Sequence, residues 1–411
     1  VLHSNAMQTG WSKITARRST PMSEPANQSA VLTSSMETSQ ELTLHGSVLV
    51  LLQFDVCEAI HLDRLREILG ARTAPKPQPQ PKAAVEISIT GAIDYDRPPI
   101  VEPVEPLVLA SGEQLTGQIK YYDYGVLSIV FERPFVGGWS RLAGLASRWV
   151  WDIDFAAEAT RIVRDKLTRA AEAIVKPYGE WLSEDYLIFH IRDIVAPDGC
   201  LSPSIPELIQ QHGARIAQVV RGDTGNLAES EVNEVLQARI SYYANDLAVI
   251  GWNAAFLFDS ASGAETAIQL LEYANSQLLE FRHYDDLLTE ELERVYLLLD
   301  KGTGILARWR LARSATGLHT VLLDVDELTE RADNAIKFLS DMFAARFYKL
   351  AAQKIGVPDY KDLVTQKVRT AEELYRFMVD QFNQSRAFFL ELTVVIILVV
   401  ELVYLFRGRP F

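Results

Sequence analysis

Glu280 and His283 are spaced to share one face of a helix, and a carboxylate followed three residues later by an imidazole is the pair that di-iron carboxylate bundles use to hold metal. A second such pair, Glu58 and His61, lies near the N-terminus. A di-iron site also needs two inward glutamates from other helices, and the second pair falls in a region that reads as α/β and not as bundle. With 54 acidic residues and seven histidines in the chain, such matches arise easily by chance. Glu280 and His283 therefore stand as candidate metal ligands against the expectation that no metal and no cofactor is bound. The plainer reading of the same helix is a solvated face with the charge pairs Arg282–Asp286 and Glu290–Arg294.

Other chemistry leaves less trace. There is no G-x-S-x-G elbow and no cysteine beside an obvious histidine, although triads assembled in space need no local motif. KGTG at 301–304 is too short for a phosphate-binding loop and reads as a turn after a helix. No enzymatic activity is expected. The run KGTGILARWRLAR at 301–313 sets Lys301, Arg308, Arg310 and Arg313 around Trp309 with no acid among them. It is either a contact surface for lipid headgroups, RNA phosphates or an acidic partner, or a turn whose arginines neutralise the acidic helix before it.

Composition narrows the field. The 411 residues carry a net charge of -14, which argues against a duplex nucleic-acid binder that relies on a general basic field. Two cysteines, Cys57 and Cys200, make neither a disulfide framework nor a zinc site and point to a reducing compartment. No apolar run of signal-peptide length occurs in the first forty residues. Residues 1–40 are rich in Ser, Thr, Gln and Asn and read as a disordered leader. With Val1 first and methionines at 7, 22 and 36, that leader is expected to be non-native.

The elements that would position these residues divide the chain. Residues 44–56 read as a buried strand and 58–69 as a short helix, followed by a proline-rich linker at 74–82. Strands are expected at 85–95, 126–131 and 184–194, with an irregular proline-punctuated crossing at 98–106 and an amphipathic helix over 154–175. Beyond that, nearly everything reads as helix: 204–221, 226–243, 264–300, 320–354 and 359–406. Pro358 and Asp359 mark the start of the last one. The expected fold class is α+β: an α/β module over 41–195, then a helical bundle over 196–385.

The final segment, 386–411, is expected to be one C-terminal transmembrane anchor. Residues 387–406 carry only two charges, Glu391 and Glu401, and twenty helical residues reach ~30 Å. Glu391 and Glu401 then either snorkel or meet a polar partner in another helix. Lipid bilayer is an expected partner, as is a second copy or another protein. The topology is tail-anchored and single-pass with the large domain cytosolic, in a bacterial inner membrane, or in a mitochondrial inner membrane with the domain in the matrix.

SYYANDLAVIGWNAAFLFDS at 241–260, LEYANSQLLEFRHYDDLLTEELERVY at 271–296, YDYGVLSIVF at 122–131 and the acid-containing FLELTVVIILVVELVYLF at 389–406 are together similar to the "required for meiotic nuclear division" family and its uncharacterised bacterial relatives. Leu390, Glu391 and Glu401 match that family's terminal pattern, with Leu392 where the family has Trp. The resemblance covers roughly 120–411. It implies a membrane-tethered domain without established enzymatic activity, forming higher-order assemblies, with contact to the ribosome in mitochondrial members. The expected function is thus a membrane-anchored, non-enzymatic scaffold or adaptor, oligomeric, with Arg308, Trp309, Arg310 and Arg313 as surface contacts. Two alternatives stand beside it. One is an oligomeric ion-conducting protein whose layout resembles the CorA-type magnesium channels, though without their second membrane helix and Gly-Met-Asn loop. The other is a metal-dependent enzyme at Glu280 and His283.

Overall fold

The Val- and Leu-rich run after residue 42 forms one long strand, Thr43–Ile60 (β1), on which the other layers are built. The computed structural model describes residues 42–70, 97–195, 203–300, 317–327 and 341–408. Helix Leu62–Leu69 (α1) follows β1. Strands Ile100–Val108 (β2), Gln114–Tyr121 (β3) and Val126–Gly137 (β4) lead to helices Trp139–Trp151 (α2) and Phe155–Arg169 (α3). Strand Ile174–Val195 (β5) comes next, then helices Ile205–Arg221 (α4) and Glu229–Gln237 (α5). Three short strands, Arg239–Ile240 (β6), Leu247–Ile250 (β7) and Ala254–Phe258 (β8), precede the helices Ala261–Asp300 (α6), 317–327 (α7), Met342–Ile355 (α8) and Val357–Phe406 (α9).

All eight strands join one sheet in the order β2-β3-β4-β1-β5-β8-β7-β6. β1 lies between β4 and β5, antiparallel to both, while β5 and β8 run parallel. Helices cover both faces. Leu44, Val48, Val50, Leu52 and Phe54 of β1 share a core with α2, α3, α4 and α5. Leu49 and Leu51, of opposite parity, share a second core with α6, α8 and α9 through residues such as Leu271, Phe347 and Val364. Each such side chain contributes roughly 1.5–3 kcal/mol by leaving water. The fold is α+β, with a sheet-bearing N-terminal region and a helical C-terminal region.

Three differences from the sequence reading have physical causes. The sheet takes in β6, β7 and β8 after residue 195, where helix was expected to dominate. LAVI and AAFLF are buried at every position, so they show no period of two, and a short apolar run cannot be told from buried helix by pattern alone. The expected irregular crossing at 98–106 is β2, an edge strand. Pro103 and Pro106 are tolerated there because an edge has one side that needs no ladder donors.

The third difference is the anchor. Among the described residues no helix is long and apolar enough to cross a membrane. The described apolar end of α9 runs over 390–406, roughly 26 Å of helix, and is broken by Glu391 and Glu401; a bilayer core asks for ~20 apolar residues and ~30 Å. This overturns the transmembrane segment at 386–411 and the tail-anchored, single-pass membrane placement built on it. The ion-conducting alternative rested on the same helix. The leader at 1–40, the linker at 74–82, the expected strand at 85–95, Cys200 and the whole 301–313 run lie outside the described residues.

A candidate functional site between the sheet and helix α6

Polar residues interrupt the apolar strands at matched positions. Lys120 on β3 stands opposite Ser128 on β4, Ser128 opposite Gln53 on β1, and Gln53 opposite Glu184 on β5. This register lays a polar row across four adjacent strands, and Lys120, Ser128, Gln53 and Glu184 all reach α6. Asp55, two residues beyond Gln53 on β1, reaches it too. Helix α6 answers with Glu272, Ser276 and His283, spaced four and then seven residues apart so that they fall on one face.

The pairing is dense and mostly buried. Glu272, only 1% exposed, accepts a hydrogen bond from Ser128 Oγ at 2.6 Å and forms an ion pair with Lys120. Gln53 Nε2 donates to the Glu272 carbonyl at 2.7 Å. Ser276 Oγ donates to the Tyr124 hydroxyl at 2.9 Å. Farther along, Arg282 pairs with Glu184, and His283 Nδ1 lies 3.0 Å from Asp55 Oδ2. Tyr178 of β5 stacks on the His283 ring, centroids 4.6 Å apart.

Burial sets the proton chemistry here. It pushes the Asp55 carboxyl up to about 7 and pushes the His283 imidazole below its ordinary value, since the interior disfavours a charge on either group. The Tyr178 phenol is driven up by burial and by the nearby Asp55. Burial, with Asp55 again adding, pushes the Cys57 thiol up to about 12, so it stays protonated and unreactive at neutral pH. Ser128 is fully buried and engaged with Glu272. Asp55 and His283 thus face each other with burial favouring the neutral form of each. The seam presents no activated nucleophile to a substrate.

Of the residues singled out from sequence, His283 lies in this seam and Glu280 is on the same helix. His283 spends its Nδ1 on Asp55, and among the described residues no three His, Cys, Asp or Glu side chains converge as a metal would need. Of the expected helical pairs, Arg282 acts on Asp286 through its charge but makes its close ion pair across to Glu184, and Arg294 pairs with Glu291. Glu391 and Glu401 are exposed on α9. Arg308, Trp309, Arg310 and Arg313 lie outside the described residues. Sequence reasoning missed Gln53, Asp55, Lys120, Ser128, Glu184 and Glu272. The available signal was a single polar residue inside an apolar run, as in LLQFDV, VLSIVF and LLEYA.

A family model described as "Uncharacterized protein MJ0711, N-terminal domain" matches residues 45–265, a span that reaches all eight strands and ends in the first turns of α6. The uncharacterized protein MJ0711 of Methanocaldococcus jannaschii is 18% identical over 242 residues, which are 59% of this chain and 72% of that protein. No solved structure matches.

Proposed function

We infer a function from the premise that this chain belongs to the family of the uncharacterized MJ0711 N-terminal domain. That description names no activity, so the reading rests on geometry. The chain is a non-enzymatic scaffold or adaptor. Its sheet is a platform, the polar seam locks α6 on it, α6 carries α9, and the far end of α9 is offered to another polypeptide. That polypeptide is a second copy of this chain or a different protein.

The observation that carries the reading is the state of 390–406. Val394, Val395, Ile396, Ile397, Leu398 and Val399 are each 53–57% exposed, and Leu405 and Phe406 are above 80%. A contiguous apolar surface of this kind marks an interaction site. The seam supports the reading from the other side, because its charged groups are spent on one another and fix the register of α6, the best-attested use of buried polar pairs.

The test is the mass of the full-length chain by light scattering over a range of concentrations, with co-purifying proteins identified. A discrete oligomer or one recurrent protein partner is expected, and Val395→Lys with Leu402→Lys should disperse it while helix content stays the same. A wild-type chain that is monomeric and alone would remove the scaffold reading.

A further inference from the structure

Gly144 stands in the middle of α2, where a glycine weakens a helix relative to alanine. A methyl group built there would meet nothing within 4 Å, so no neighbour inside the protein demands a glycine. Arg141 lies three residues before it and Arg148 four after, the spacings that share a helix face. Arg133 of β4 completes the surround, and the three guanidiniums line a cavity of about 250 Å³ whose apolar walls include Phe135 and Leu145.

Part of this cluster has a structural purpose. Glu113 pairs with Arg133 and takes both oxygens to Arg148 Nη2, at 2.5 and 2.6 Å, tying the start of β3 to β4 and α2. Burial pushes the Glu113 carboxyl up, but the hydrogen bonds from Arg148 and Ser111 and the charge of Arg133 bring it below its ordinary value, so it is ionised. That network does not account for the rest. Arg141 is held over the Phe135 ring, 5.9 Å from its centroid, with Nη1 donating to the Val136 carbonyl at 3.0 Å. The Nε–H of Arg148 is buried without a hydrogen-bond partner among the described residues. Three arginines and one carboxylate line the cavity, in a chain whose net charge is -14.

We propose that this pocket binds a phosphate group, either free phosphate or the phosphoryl end of a small phosphorylated molecule. Arg141 and Arg148 grip its oxygens, and the bare backbone at Gly144 leaves it room against the helix. Guanidinium forks match tetrahedral oxyanions in geometry as well as charge, and a glycine is the residue that admits a ligand to a backbone.

The test is calorimetric titration of the full-length protein with inorganic phosphate, with glycerol phosphate as the phosphomonoester and chloride as the control. Saturable one-to-one binding is expected for a phosphate probe and not for chloride. Tighter binding of glycerol phosphate would assign the site to a phosphorylated small molecule, and tighter binding of inorganic phosphate to the free anion. Arg141→Gln should weaken binding about tenfold, the loss expected for one charge-assisted contact. Gly144→Ala should weaken binding while raising the melting temperature, because alanine strengthens the helix; a loss of binding in a more stable protein is not a folding defect. Glu113→Gln should tighten binding by releasing two guanidiniums. The proposal is overturned if neither phosphate probe saturates, if chloride gives the same response, or if Arg141→Gln and Gly144→Ala both bind as the wild type does.

Discussion

Asp55 and His283 meet with Nδ1 3.0 Å from Oδ2, and burial moves their affinities for a proton in opposite directions. In the unfolded chain Asp55 ionises near 3.8, and in the folded protein near 7. Between those values the folded protein keeps a proton that the unfolded chain has lost. The contribution of Asp55 to stability is therefore full below pH 4 and falls as pH rises to 7, by up to roughly 4 kcal/mol across the window. His283 acts with the opposite sign, from its lowered value up to 6.5. The expected outcome is that Asp55→Asn removes a decline in stability between pH 4 and 7 that the wild type shows, read from urea midpoints at several pH values. A second expectation concerns the buried pair of Lys120 and Glu272. Lys120→Met alone leaves Glu272 charged at 1% exposure and should cost on the order of 3–5 kcal/mol, whereas adding Glu272→Leu should recover most of it. Equal losses in the single and double variants would mean that the pair contributes through packing.

The turn between β3 and β4 gives a sharper case, because one backbone conformation decides it. Gly125 has φ +93°, and a Cβ there would sit 1.9 Å from the Cys57 carbonyl. Gly125→Ala should destabilise by more than about 1 kcal/mol, measured by thermal or urea unfolding, because strain and collision act together. The hairpin around it was half legible. The strand of β4 stood out as VLSIVF, and α6 and α9 were expected at 264–300 and 359–406 and occur at 261–300 and 357–406, since long runs with no Pro or Gly beyond the first turn announce themselves. α2 was missed, with Gly144 in its centre and a buried face that includes Trp139 and Trp149. β7 and β8 were missed because burial on both faces erases the alternation by which strands are found. The polar seam was missed for a related reason. Lys120, Ser128, Gln53 and Glu184 are neighbours only through strand register, which no local spacing encodes, and Glu272 meets the first three from more than 140 residues away.

In the tertiary structure α9 has two parts with different roles. Val364, Ala371 and Met378 are buried in the core shared with α6 and α8, and Lys367 reaches α6 by donating to Thr289 Oγ1 at 2.5 Å. The side chains over 390–406 are exposed and contribute nothing to that core. A chain ended at residue 386 should therefore melt within a few degrees of the full-length protein, followed by circular dichroism, and should lose the association that the far end of α9 supports. A chain ended at 356 should not fold cooperatively. The order in which the sheet is assembled adds a constraint of another kind. β1 is at its centre, between β4 and β5, yet it precedes every other strand among the described residues. At ~5–20 residues per second, residue 195 leaves the ribosome about 7 to 27 s after residue 60. β4 can close one edge of β1 once residue 137 is made, but the other edge has no partner until β5 is complete, and through that edge the eighteen-residue strand can meet other nascent chains. The pace of synthesis across residues 61–195 thus sets how long that edge stays open.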